Sequence, residues 1–396
     1  MRILTNDYLS NLPGSAIATK GGPPLFARNF SDIVVGNGHE WIGIVTSSSA
    51  PLEGYEEVAV DAKRRFFTIQ VPREQRDFLR DASVARIAPA DFEKDISRIG
   101  SIIAAARPDL LFLNGFSLDA WTYAAAAFRA KLPVVIQHAG ILTKEFEMYR
   151  DWFSPAAYAF AKEAEGDVAE RAAANIFLNE FSRDAFVRLV EPESLANPVV
   201  IPLPQAAWPR EAVKTPQGTE RTLGIVARWD RIKNHEAVLA LAEELQRRAL
   251  PWRIRSVTAI PETQSQAGLK RKYRSLIDVV PPMDRDDLRA FYASLDALIL
   301  PSHFDVSPTV VMEGVALGKP TLISPHVGWV SEYEACGMGR WIADFSDPSE
   351  VIARLEEQFA RSAWPEVDAF ASYVAEHHDA AAVYGQYLSV FEQMIS

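Results

Sequence analysis

Short hydrophobic runs alternate with longer amphipathic stretches along most of this chain. Amphipathic segments such as 25–38 (LFARNFSDIVVGNG) and 117–131 (SLDAWTYAAAAFRAK) have the spacing of helices. Buried strands that alternate with helices at this interval predict βαβ units and a parallel sheet. In the first half, the hydrophobic runs that we interpret as strands are 2–5, 41–46, 109–114, 133–138, 175–179 and 199–203.

The alternation pauses at residues 198–217, which contain five prolines and no periodicity, as is typical of a linker. After it, strands are predicted at 221–228, 252–260, 277–282, 296–302 and 319–324. The sequence therefore predicts an α/β protein with two Rossmann-like, doubly wound domains facing a cleft, where α/β sheets bind ligands at the carboxyl ends of their strands. The predicted parts are an N-terminal domain over 1–205, a C-terminal domain over 206–365, and a helical segment over 366–396 that packs back toward the N-terminal domain.

Composition narrows the class of partner. The formal net charge of −11 over 396 residues disfavours nucleic acid or an anionic membrane as the main partner. Cys336 is the single cysteine, which excludes a disulfide framework and a thiolate metal cluster. The first ten residues lack the pattern of a signal peptide, and no apolar run has the length of a bilayer span. We expect a cytoplasmic protein with at most peripheral membrane contact.

Residues 62–80 interleave basic and aromatic side chains, which allows two interpretations. The segment could contact a membrane surface or an anionic lipid-linked acceptor. Alternatively, it is a solvated loop with a few buried phenylalanines, and the acidic charge of the whole chain favours this second interpretation.

Residues 301–324 hold the densest polar pattern. The strand 296–302 ends just before Asp305, which places this carboxylate at the predicted cleft. Ser307 is a good N-cap, and Pro308 suits the first position of a helix. That helix is expected to end at Gly318, before Pro320.

This predicted helix start is suited to binding an anion. Its free amides belong to Thr309 and Val310, and they lie at the positive end of the helix dipole. Glu313 follows one turn later on the same face, and Asp305 precedes the cap. The pattern suits a nucleotide-linked sugar, with the diphosphate at the helix start and one carboxylate for hydroxyl groups at each end.

The string S-x-x-D-x-x-P-x-x-x-x-E-G-x-A-x-G-K-P resembles the E-x7-E region of retaining glycosyltransferases of the GT-B fold, in particular the family called GT4, or glycosyltransferase group 1. The resemblance implies that Glu313 binds the ribose hydroxyls of the donor, that Asp305 lies near hydroxyls of the donor sugar, and that the helix start, with Ser307, holds the diphosphate. Asp305 stands where the family usually has Glu, and Trp329 stands where it often has a second Gly.

Further segments extend the resemblance. Residues 224–245 are similar to the first strand, loop and helix of the family's C-terminal domain, which implies that Arg228 and Lys233 bind the donor diphosphate. Cations there would offset the negative charge that the leaving nucleotide gains. Gly21 and Gly22 resemble the glycine pair of the family's N-terminal loop, with an ordinary turn as the alternative. His138 ends a strand where the family commonly has a histidine that contacts the donor sugar; a structural role is the alternative.

The resemblance implies a retaining hexosyltransferase that uses a UDP-, GDP- or ADP-linked sugar and a glycan, glycolipid or small-molecule acceptor, in polysaccharide biosynthesis by analogy. It also implies no metal and no further cofactor. Residues 284–286 (DRD) have the letters of a metal-binding motif, but they head a predicted helix, where acidic residues cap. A non-catalytic GT-B module that binds a nucleotide sugar or a glycan is the alternative, and Asp305 is the feature that favours it.

Overall fold

The computed structural model describes residues 1–15, 17, 22–71, 73–205, 208, 210–214, 217–263 and 265–396, with only the backbone of 73–75. The chain divides into two compact units. The first unit comprises Met1–Pro204 together with Ala381–Ser396, and the second comprises Gln205–Ala380. Both are mixed α/β units with parallel sheets, so the predicted fold class is confirmed at this level.

An eight-stranded sheet forms the centre of the first unit, in the order β3-β4-β2-β1-β5-β6-β7-β8. Neighbouring strands are parallel except β3 and β4, which are antiparallel. The strands are β1 (Arg2–Asn6), β2 (Glu40–Thr46), β3 (Glu56–Ala59), β4 (Arg64–Ile69), β5 (Leu110–Asn114), β6 (Val134–His138), β7 (Ala174–Phe177) and β8 (Pro198–Val200).

Helices cover this first sheet, so its central strands β5 and β6 are buried along their length. Six helices lie in the connections between these strands: α1 (Gly22–Gly36), α2 (Glu93–Ala106), α3 (Leu118–Arg129), α4 (Leu142–Met148), α5 (Pro155–Arg171) and α6 (Glu180–Val190).

The second unit holds a five-stranded parallel sheet in the order β11-β10-β9-β12-β13. Its strands are β9 (Arg221–Val226), β10 (Trp252–Val257), β11 (Asp278–Val280), β12 (Ala297–Leu300) and β13 (Thr321–Ile323). Its helices are α7 (His235–Arg247), α8 (Ala267–Leu276), α9 (Arg285–Ala293), α10 (Thr309–Ala316), α11 (Val330–Ala335), α12 (Pro348–Phe359) and α13 (Pro365–His377).

The C-terminal segment 366–396, predicted as one piece, is divided between the units. Helix α13 lies in the second unit, whereas α14 (Ala380–Ile395) returns to the first. The cause is aromatic packing: Tyr384 stacks on Phe30 of α1 at a centroid distance of 5.3 Å, and Phe391 lies 5.1 Å from Phe112 of β5.

The proline-rich stretch predicted as a linker also belongs to both units. Its first residues form β8, while the residues from Gln205 onward pack on the second unit. The Glu211 amide donates to the Ala316 carbonyl at 2.8 Å, and the Trp208 ring lies edge-on to Tyr292 at 5.7 Å.

Residues 62–80 contain strand β4, so the expectation of a loop is wrong over this part. Phe66 and Phe67 are buried in the sheet. Three arginines of this segment form ion pairs within the unit: Arg64 with Asp32 at 2.8 Å, Arg65 with Glu57 at 3.3 Å and Arg76 with Asp95 at 2.7 Å. Across the described part of the chain, none of the helices combines the length and the hydropathy needed to cross a bilayer.

The predicted stop at Gly318 is confirmed and has a steric cause. Helix α10 ends at Ala316, and Gly318 has a φ of +68°. A Cβ at this position would lie 2.7 Å from the Ala212 carbonyl oxygen, so both the backbone conformation and the space require glycine.

We therefore predict that Gly318→Ala lowers the free energy of unfolding by about 2 kcal/mol, because it adds left-handed strain and a backbone clash. Thermal unfolding should show a midpoint about 6 °C lower. Gly268→Ala is the matched control, since a Cβ at Gly268 in α8 meets nothing within 4 Å. Equal midpoints for the two variants would contradict the prediction.

Candidate functional site

Two loops of the second unit meet at the carboxyl edge of its sheet. They follow β9 and β12, which are neighbours and parallel. The His303 amide donates to the Ile232 carbonyl at 2.8 Å, and the Asn234 side-chain amide donates to the Pro301 carbonyl at 3.1 Å. These bonds hold together the segments that carry the predicted residues Arg228, Lys233 and Asp305.

Lys233 and Asp305 form an ion pair between Nζ and Oδ2. Their side chains are 18% and 13% exposed, so the pair is largely withdrawn from water without being sealed. The position of Asp305 is fixed through its backbone, because its amide donates to the His326 carbonyl at 3.1 Å and its carbonyl accepts from Gly328 at 2.8 Å. The structure thus brings together two residues that were predicted for different parts of the donor.

Arg228 combines a fixed backbone with an open side chain. Its guanidinium is 79% exposed, with the Asp230 carboxylate 3.8 Å away. Its carbonyl accepts a hydrogen bond from His235 Nε2 at 2.8 Å, and the ring of Trp229 stacks on His235 at 4.5 Å. The charge therefore faces solvent, as binding of an anion requires.

The start of helix α10 differs by one residue from the prediction. Pro308, and not Ser307, is the N-cap, and it offers no side-chain cap. Trp329, which stands where the family often has a second Gly, is 2% exposed and donates from Nε1 to the Pro308 carbonyl at 3.2 Å. The amides of Thr309 and Val310 open the helix, where amides have no acceptor in their own helix.

Glu313 is held by Tyr292, whose hydroxyl donates to Oε2 at 2.6 Å. Burial raises the pKa of the Glu313 carboxyl, and the Tyr292 hydrogen bond, the Arg285 charge and the Thr309 hydroxyl oppose that rise. Trp208 covers Tyr292, and the Arg285 guanidinium lies 5.7 Å from the Trp208 ring centroid. Tyr292 could not be identified from the sequence, because it lies 21 residues before Glu313 on another helix.

His138 is placed in the core of the first unit, contrary to the expectation of a ligand contact. It is 1% exposed and stacks on Phe177 at 4.5 Å, and Nε2 lies 2.9 Å from Asn175 Oδ1. Burial lowers the pKa of its imidazole to about 4. These contacts favour the structural alternative for His138.

The predicted glycine pair is only partly described, since Gly21 lies outside the described residues. Gly22 is the first residue of α1. The next two residues are held by asparagines: Asn114 donates to the Pro23 carbonyl at 2.9 Å, and Asn11 donates to the Pro24 carbonyl at 3.1 Å. Sequence reasoning missed these asparagines, although Asn114 stands at the end of a predicted strand.

The acidic residues of DRD cap a helix, as predicted. Asp284 is the N-cap of α9 and accepts from the amides of Asp286 and Asp287 at 3.1 and 2.9 Å. Among the residues that the structure describes, no group of three or more His, Cys, Asp or Glu could hold a metal ion. Independence of metal and of other cofactors stays a prediction.

Family models match both halves of the chain. Residues 209–366 match the model described as "Glycosyl transferases group 1", and residues 21–204 match the model described as "Glycosyl transferase 4-like domain". Together these two ranges contain the site loops and the start of α1.

Three known proteins are similar to this chain, one in sequence and two in fold. Over 159 residues the chain is 26% identical to a protein of Bacillus subtilis (strain 168) whose name is "Putative glycosyltransferase EpsF". This match spans 40% of either protein. Sucrose-phosphate synthase from Thermosynechococcus elongatus has a TM-score of 0.71 at 15% identity, over 99% of this chain and 98% of that one. The E. coli trehalose-6-phosphate structure bound with UDP-2-fluoro glucose has a TM-score of 0.69 at 12% identity, over 99% of both chains. The predicted GT-B fold is confirmed by these likenesses.

We predict that Glu313→Gln stabilises the protein, and more so at pH 7.5 than at pH 4.5. Burial raises the carboxyl pKa above its usual 4.5, so the folded protein binds this proton more tightly than the unfolded chain does. Stability is therefore lost as pH rises from about 4.5 through the folded pKa, and glutamine removes that loss.

The measurement is the thermal midpoint of both proteins at the two pH values. Glu376→Gln removes an exposed carboxylate of the same unit and is the control. Its midpoint should differ from that of the wild type by the same amount at both pH values. If the rise in thermal midpoint caused by Glu313→Gln is smaller at pH 7.5 than at pH 4.5, the predicted direction of the pH dependence is wrong.

Proposed function

The chain belongs to the GT4-like, group 1 glycosyltransferases, and we propose that it transfers a hexose-type sugar from a nucleotide diphosphate to a hydroxyl acceptor with retention of configuration. The proposed acceptor is a glycan, a glycolipid or a small molecule, and the proposed setting is polysaccharide or glycolipid synthesis. One observation carries the proposal: Arg228, Lys233 and the start of helix α10 follow two adjacent strand ends of one sheet.

This arrangement suits a diphosphate leaving group. As the glycosidic bond breaks, the nucleotide diphosphate gains negative charge, and preorganised cations and amides lower the energy of that state. Lys233 is already oriented by Asp305, and the exposed guanidinium of Arg228 can reach an incoming anion. We assign both cations, with the amides of Thr309 and Val310, to the diphosphate.

The two carboxylates have separate proposed roles. Glu313 is held in one orientation by Tyr292 and is assigned to the ribose hydroxyls. Asp305 is assigned to the donor sugar while it keeps its contact with Lys233. Because that contact occupies Asp305, we propose a front-face mechanism in which a leaving phosphate oxygen takes the proton of the acceptor hydroxyl, and no carboxylate acts as nucleophile.

The proposed donor class follows the family and one structural neighbour. The E. coli neighbour is bound with UDP-2-fluoro glucose, which supports a nucleotide sugar here. UDP-, GDP- and ADP-linked sugars are all candidates, since the identity of 12% carries no base preference.

A non-catalytic module that binds nucleotide sugars is the second candidate. The observation that favours it is the Lys233–Asp305 pair, because a lysine already neutralised by a carboxylate stabilises a departing anion less well than a free one. Ligand binding alone does not distinguish the two candidates, so turnover has to be measured.

We predict that one of UDP, GDP and ADP, or its sugar conjugate, stabilises the protein in a thermal-shift screen. A ligand at 100 times its dissociation constant adds about 2.7 kcal/mol. Arg228→Ala should lose most of this shift. Arg340→Ala removes another exposed, ion-paired arginine of the same unit and should keep it. A screen without any shift would count against the nucleotide-sugar proposal.

We predict that Lys233→Ala lowers the kcat of donor hydrolysis on the order of 100-fold, as loss of one preorganised donor to the leaving group does. The assay uses the sugar conjugate of whichever nucleotide gives the largest shift, at saturating concentration. Lys272→Ala breaks an exposed pair with Glu243 in the same unit and should leave kcat unchanged. Equal turnover by wild type and Lys233→Ala would favour the binding module.

A further inference from the structure

A buried hydrogen-bond chain lies behind the loop that carries Arg228. His235, the first residue of α7, is 4% exposed. Its Nε2 is 2.8 Å from the Arg228 carbonyl oxygen, and its Nδ1 is 3.1 Å from the Tyr273 hydroxyl. The Tyr273 hydroxyl is also 3.0 Å from Ser256 Oγ in strand β10. The chain thus connects the end of β9 to the core of the unit.

These contacts define the tautomer of His235. A carbonyl oxygen can only accept, so Nε2 carries the proton. Burial lowers the pKa of the imidazole, against the Arg228 carbonyl and the Asp230 charge, while Lys233 acts in the same direction as burial. The ring is therefore neutral, and its unprotonated Nδ1 lies 3.1 Å from the oxygen of Tyr273, whose hydroxyl donates to Ser256 Oγ.

Aromatic packing holds the imidazole in this orientation. The Trp229 ring stacks on His235 at 4.5 Å with an interplanar angle of 16°, and it meets Tyr273 edge-on at 5.0 Å. A side chain whose rotamer is locked by packing and by a second hydrogen bond can fix its partner in turn.

The His235 bond closes the loop between β9 and α7 into a ring. The loop includes Lys233, and it ends at Asn234, which has a φ of +54° and caps α7 by accepting from the Ala237 amide at 3.2 Å.

We propose that His235 is a positioning residue for diphosphate binding: as the neutral Nε2–H tautomer it fixes the Arg228 carbonyl and so presents the side chain of Arg228 to the anion. The inference rests on the proposed function. Tyr273 acts through His235 by holding the orientation of its ring. Neither residue touches the ligand, so both act on affinity through Arg228.

Two variants separate the N–H donor from the ring. His235→Phe keeps an aromatic ring against Trp229 but cannot donate, and the dissociation constant for the best-stabilising nucleoside diphosphate should rise about fivefold, the size of one hydrogen bond. His235→Gln places an amide N–H near the Nε2 position and should restore most of the affinity. Tyr273→Phe removes the hydroxyl beside Nδ1 and should also weaken nucleotide binding, whereas Tyr123→Phe, which deletes a buried tyrosine hydroxyl in the first unit, should leave it unchanged.

A mutant cycle tests whether the effect runs through Arg228. In the Arg228→Ala background, His235→Phe should have no further effect on nucleotide affinity, measured by calorimetry. A full fivefold loss in that background, or an equal loss in His235→Phe and His235→Gln, would overturn the proposal, because both results describe a merely structural histidine.

Histidine NMR tests the network without any nucleotide. Long-range ¹H–¹⁵N spectra of the full chain, with His235→Gln assigning the signal, should show the neutral Nε2–H tautomer at pH 7.5 and a changed signal in Tyr273→Phe. A charged ring or the Nδ1–H tautomer would refute the proposal. If this tautomer is present but wild type binds none of UDP, GDP and ADP, the proposed function fails while the hydrogen-bond chain stands.

Discussion

Direct contact between strands β9 and β12 is the constraint on which the candidate site depends. Gly224 of β9 pairs with Leu298 of β12, and a Cβ on Gly224 would lie 2.1 Å from Leu295 Cδ1, so glycine leaves the space in which Leu295 packs over the strand. Parallel neighbours end at one edge of a sheet, and the loops after them meet there. Lys233 and Asp305, 72 positions apart, can form an ion pair for this reason.

Much of the fold could be predicted because parallel strands are buried on both faces and appear as continuous apolar runs. Strands such as β5 and β12 have this property throughout. Strand β4 was missed because it begins with two half-buried arginines, which leaves only a short apolar run after them. The division of the terminal segment was missed because it depends on aromatic contacts between α14 and α1, which periodicity does not report.

The candidate site was predictable only where residue type and strand-end position carry the information. Arg228, Lys233 and Asp305 belong to that class, and the structure brings the last two together. The position of a residue at a strand end does not determine which way its side chain points. The sequence therefore could not show that His138 points into the core beside Phe177. Partners such as His235 and Tyr292 were not predictable, because packing between distant elements decides them.

The residues that hold the site share a chemical character that explains their absence from the motif. Tyr292, Trp329 and His235 each bury a flat ring and offer one N–H or O–H to a site residue. A buried ring loses few rotamers when ordered, and its single donor makes the hydrogen bond directional. Such a residue can hold a carboxylate or a carbonyl in place without bringing a second charge that would compete with an anionic ligand. The Lys233–Asp305 pair is the exception, because a charged carboxylate holds the charged lysine there, and a phosphate bound as we propose would share the lysine with that carboxylate. The candidate site therefore combines neutral supports for the Arg228 backbone, Glu313 and the helix start with one charged support, at Lys233.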